Sequence, residues 1–60
     1  MTQGDKLQDL AKIRTRAQIA RDTGIHLVWI ERLYLYDDQL EEKDSAKLDR
    51  LHELEFGEEE

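Results

Sequence analysis

Carboxylates are the commonest functional groups in this chain, and Glu41, Glu42, Asp44, Asp49, Glu53 and Glu55 crowd one stretch of it. Neighbouring carboxylates perform acid–base work only when a pocket strips water from one of them and drives their proton affinities apart. A chain of 60 residues leaves little room for such a pocket, so a solvated acidic face is expected. His26 and His52 are the two histidines, and there is no cysteine. Two isolated imidazoles fall short of the ligand set that a zinc ion needs. No Gly-rich phosphate loop, nucleophile elbow or zinc spacing occurs. The expectation is a protein without catalytic residues, metal, cofactor or small-molecule substrate: not an enzyme.

The remaining chemistry belongs to the cations. Net charge is −6, which argues against an anionic partner until the two halves are separated. Residues 1–32 carry six Lys or Arg against four acids, a balance of +2, whereas residues 33–60 carry three against eleven, a balance of −8. An anion can approach the first half while the second faces away from it or meets something basic.

The elements that must position these groups read as helices. Charged residues make up 40% of the chain and hydrophobic ones 38%, so folding requires the few apolar side chains to be well placed. Residues 1–4 and 57–60 read as frayed termini, the latter acidic, around a domain over 5–56. Asp5 is a plausible N-cap for a first helix with Leu7, Leu10, Ala11 and Arg14 on one face. Thr15 and Gln18 have the spacing of a capping box, and Gly24 stops the helix they begin. Leu27–Tyr36 is apolar on nearly every side. Its β-branched and aromatic content also suits a strand, but Glu31 and Arg32 break any alternation and no second strand is available for pairing. A charged connection from Asp37 through Asp44 leads to a fourth helix capped by Ser45, or by Asp44, that presents Leu48, Leu51 and Leu54. The fold class is therefore all-α, a compact four-helix domain. Its expected core is Leu7, Leu10, Ile19, Ala20, Ile25, Ile30, Leu33, Leu48 and Leu51.

Within it, Arg16–Leu33 (R-A-Q-I-A-R-D-T-G-I-H-L-V-W-I-E-R-L) carries the pattern of two helices crossing tightly. Ala20 is small where the helices touch, Gly24 accepts the positive φ of the turn, and Ile19, Ile25, Ile30 and Leu33 are in phase to be buried. This stretch resembles the helix-turn-helix of the Cro/CI-type (lambda-repressor-like) DNA-binding family, common among phage and prophage regulators. A preceding amphipathic helix and the following S-A-K-L-D-R-L-H-E-L extend the resemblance over about Leu7 to Phe56.

The resemblance implies a small sequence-specific, double-stranded DNA-binding transcription regulator of Cro-like repressor type, acting as a homodimer in the cytoplasm of a bacterial or phage-infected cell. The second motif helix would enter the major groove, with His26, Leu27, Val28 and Arg32 as base readers and Arg32 suited to guanine O6 and N7. Arg16, Gln18, Arg21, Lys43 and the Trp29 indole N–H would hold phosphates, with Lys47 a weaker candidate of the same kind. Arg14, Arg16 and Arg21 could equally be solvated charges paired with Asp9, Asp22 or Glu31. Trp29, Tyr34, Leu35, Tyr36 and Leu40 form an apolar group that so small a monomer does not fully cover, and it either lies under the fourth helix or meets a second subunit. Tyr36, Leu54 and Phe56 are the expected dimer contacts. Leu27, Val28 and Trp29 at the reading positions, together with the acidic second half, suit an alternative: a protein-interaction module on the same fold, such as an anti-repressor, a modulator or a DNA-mimicking inhibitor that binds another regulatory protein. No apolar run approaches the roughly 20 residues that span a bilayer, and Met1–Asp9 lacks the apolar stretch of a signal peptide, so no membrane partner is expected.

Overall fold

The computed structural model describes residues 2–57 and contains four helices: α1 (Gln3–Ala11), α2 (Arg16–Thr23), α3 (Leu27–Tyr36) and α4 (Glu42–Phe56). No strand occurs among the described residues, and Leu27–Tyr36 is helical throughout.

α1 starts earlier than the Asp5 cap predicts. Thr2 is the N-cap: its hydroxyl accepts from the Asp5 backbone N–H at 3.1 Å, and the Asp5 carboxylate accepts from the Thr2 N–H at 3.2 Å. Asp5 therefore closes a reciprocal capping box from the third helical position, and residues 2–4 are held rather than frayed. Beyond Gly57, the expected frayed tail lies outside the described residues. Gly4 also permits a close approach, since a Cβ there would stand 2.8 Å from the Asp37 carboxylate at the far end of α3. α1 ends at Ala11, which removes Arg14 from its expected helical face. Thr15 must be extended to cap α2 (φ −74°, ψ 161°), so the chain leaves α1 first, with the Ile13 and Arg14 N–H groups closing on the Leu10 carbonyl.

α2 follows its sequence signals. The Thr15 hydroxyl accepts from the Gln18 N–H at 3.1 Å, and the Gln18 side-chain oxygen accepts from the Thr15 N–H at 3.2 Å. Gly24 ends the helix in the left-handed region (φ 79°, ψ 9°). Thr23 ties this corner down: its hydroxyl donates to the Ile19 carbonyl at 2.7 Å and accepts from the Ile25 N–H at 3.2 Å.

α4 begins at Glu42 with Glu41 as its N-cap, ahead of the expected Ser45. The Ser45 N–H already bonds the Glu41 carbonyl at 2.8 Å. Glu42 and Asp44 sit in the first turn, where carboxylates favour the helix dipole over an open loop. Lys43, expected in the preceding loop, consequently lies in this first turn.

α1 and α4 run side by side in the same direction, Lys6 pairing with Asp49 at 2.7 Å and Asp9 with His52 at 3.2 Å. α1 also packs on α3, and α2 packs on α3 and α4. All nine expected core residues are buried where these helices meet, and Leu40 is a tenth. Leu40 is the member of the apolar Trp29–Leu40 group that is buried in the core. Its backbone N–H donates to the Gln3 side-chain oxygen at 2.7 Å, which draws the α3–α4 connection against the start of α1 and turns the leucine inward. Burial of these ten side chains has to stabilise helices that are each too short to persist alone.

Candidate nucleic-acid interface

The candidate surface is built by α2, the corner Gly24–His26 and α3. His26 is the N-cap of α3, its ring Nδ1 accepting from the Val28 N–H at 3.3 Å. That use of Nδ1 leaves the proton of the neutral imidazole on Nε2, so His26 presents a donor to solvent. This capping role was not anticipated. A histidine directly before an apolar run was its one sequence signal, and histidine is not among the residues that cap most often.

α3 divides cleanly. Ile30 and Leu33 face the core, while Leu27, Val28 and Trp29 remain 38%, 46% and 47% exposed, and Arg32 is also exposed. The edge from His26 to Arg32 is open to an incoming partner. Leu27 lies on its inner side, bordering a groove of about 430 Å³ shared with Ala11, Thr15, Ala17 and Tyr34. Val28, Trp29 and Arg32 lie farther out.

The cations separate into engaged and unengaged sets. Arg14 bridges the molecule, contacting Asp22 of α2 at 3.2 Å and hydrogen-bonding Glu55 of α4. Arg16 reaches from α2 to α3, with Nε 3.6 Å from Glu31 and its guanidinium 4.6 Å from the Tyr34 ring centre. Both arginines tie elements together. Lys47 stands 3.8 Å from Asp44 within α4. Arg21, Arg32 and Lys43 make no ion pair among the described residues, and neither does Arg50. Gln18 has spent its carbonyl oxygen on the cap, but its amide group remains exposed. Of the expected phosphate holders, Arg21, Gln18 and Lys43 are thus available, while Arg16 would first have to leave Glu31.

Protein-family models, curated proteins and solved structures offer no match to this chain.

The three expected dimer contacts do not form one patch. Tyr36 adjoins Asp37, which touches the start of α1 at Gly4. Leu54 and Phe56 flank Glu55, which Arg14 holds beyond the other end of α1. α1 has nine residues, so these ends lie roughly 13 Å apart along its axis at about 1.5 Å per residue. Phe56 is partly occupied by His52, with ring centres 4.7 Å apart. Among the described residues no cluster of three or more metal-ligating side chains occurs, and no helix is long and apolar enough to cross a membrane.

Proposed function

We propose that α2 and α3 act as a helix-turn-helix, and that the chain is a small sequence-specific regulator of transcription that binds double-stranded DNA. One observation carries the reading. The helix that follows the left-handed glycine corner hides Ile30 and Leu33 yet leaves His26, Val28, Trp29 and an unpaired Arg32 open to solvent. With this edge in the major groove, the Arg32 fork would meet guanine O6 and N7, Val28 a thymine methyl, and the His26 Nε2–H a base or phosphate acceptor. Arg21, Lys43 and the Gln18 amide would hold the sugar-phosphate backbone. The mechanism is occupancy: a bound regulator blocks or redirects polymerase, and no bond is made or broken. A palindromic site would be read by two copies of the chain.

The test is selection from a random-sequence duplex pool at low salt, followed by titration of the enriched duplex as salt is raised. An enriched sequence is expected, with affinity falling steeply as salt increases. Arg32→Ala should cost about 1–3 kcal/mol and relax preference at one base pair. Flat binding without enrichment overturns the proposal. A protein-docking role has one observation in its favour, the half-exposed apolar run Leu27, Val28 and Trp29 at the open edge. Recovery of a specific protein partner that protects this run, with no sequence preference on DNA, would favour it.

A further inference from the structure

Resting on the DNA reading proposed above, we infer that Trp29 is a positioning residue, its indole ring holding the Arg32 side chain in place to read a base. The Arg32 guanidinium carbon stands 5.3 Å from the centre of the Trp29 ring, within cation–π range. Residues three apart on a helix are surface neighbours, so the pair forms without bending α3. The carboxylate nearest in sequence, Glu31, is directed toward Arg16 at 3.6 Å. Arg16 thereby occupies the carboxylate next to Arg32 in sequence.

Trp29 borders a hollow of about 120 Å³ together with Gln39, Leu40, Glu41 and Asp44, of which Leu40 belongs to the core. A cation–π contact uses none of the guanidinium's N–H groups as hydrogen-bond donors, so those that guanine O6 and N7 accept are not consumed by the ring. An unsupported arginine samples many rotamers and must be ordered when it binds; the ring does that ordering beforehand. Trp29 therefore aims Arg32, a different role from the phosphate donor expected of its indole N–H.

The experiment compares Trp29→Phe, which keeps an aromatic face without the N–H, with Trp29→Leu, which removes the face. In duplex selection and titration with the full chain, Trp29→Leu should reduce discrimination at the base pair read by Arg32 by about two- to fivefold. The salt slope should stay unchanged because no phosphate contact is lost. Trp29→Phe should retain most of the discrimination. Equal weakening of all duplexes with a shallower salt slope, in both variants, would mark a phosphate donor and overturn the inference. Wild-type discrimination in Trp29→Leu would also overturn it.

A second measurement does not involve DNA. In the free protein the Arg32 side-chain proton resonances should be shifted upfield by the Trp29 ring current, and Trp29→Leu should return them to ordinary positions. A wild-type chain that selects no duplex refutes the DNA reading, and the reading role with it, while the ring-current shift alone decides whether the stack exists. Unshifted Arg32 resonances in the wild type refute the positioning role whatever DNA does.

Discussion

Gly24→Ala isolates the corner on which the geometry of α2 and α3 depends. The backbone there is left-handed at φ 79°, and a Cβ built on it would meet no atom within 4 Å. Packing is therefore neither gained nor lost. The cost is conformational: crowding of Cβ against the backbone destabilises a left-handed alanine by roughly 1–2 kcal/mol, partly offset because alanine leaves the unfolded chain less freedom than glycine. A net loss of about 1 kcal/mol is expected. Unfolding entropy of roughly 2.1 cal/mol/K per residue over 60 residues converts that loss to a fall of about 8 °C in Tm. Thermal melting followed by far-UV circular dichroism reads it directly. Gly24→Asn should fall between wild type and Gly24→Ala, since asparagine tolerates the left-handed region better. Gly4→Ala is the control. Its Cβ would press only on the end of the exposed Asp37 side chain, which can swing away, and alanine gains about 0.5–1 kcal/mol over glycine inside a helix. Its Tm should match or exceed that of the wild type. An unchanged Tm in Gly24→Ala would mean that the corner is not left-handed. A loss beyond about 3 kcal/mol would exceed any backbone term of this kind and mean that a side chain there meets a neighbour.

Three further substitutions test the packing that holds the site. Leu40→Ala should destabilise by about 2–4 kcal/mol in urea titration, while Leu35→Ala, at an exposed position of similar type, should change stability by less than about 0.5 kcal/mol. Equal effects would return Leu40 to the surface. Arg14→Met should cost about 1–2 kcal/mol by loosening α2 and α4 at once, and less in high salt, because Asp22 and Glu55 stay exposed enough to rehydrate. A loss that ignores salt would mean that Arg14 acts by packing alone.

Where local chemistry decided the structure, it could be read from the chain. Thr15, Gln18 and Gly24 bound α2 because each acts on backbone groups within a few residues, and the spacing of Ile19, Ile25, Ile30 and Leu33 is enough to mark the buried face. The starts of α1 and α4 were less apparent because two cap arrangements compete within a few residues of each. Thr2 with Asp5 outlasts Asp5 alone, and acids in the first turn carry α4 back past Ser45. The sequence left Leu40 open between burial and a subunit contact because its inward turn depends on a hydrogen bond to Gln3, far away in sequence. The candidate surface behaves similarly. Exposure of the His26–Arg32 edge follows from helical phase, but the division of labour among the arginines does not. Asp22 and Glu31 were among the partners open to Arg14 and Arg16, but which arginine takes which, and the addition of Glu55, follow only from the packed fold, while Arg32 is left to Trp29.

Trp29 is the single tryptophan of the chain and stands on the open edge of α3, so its fluorescence reports directly on whether that edge meets DNA. Titration of the wild-type chain with a duplex selected from a random pool should change Trp29 emission at low salt, reverse as salt rises, and in Arg32→Ala lose its preference at one base pair. Emission that stays constant with every duplex, together with a pool that yields no enriched sequence, would contradict DNA recognition by α3.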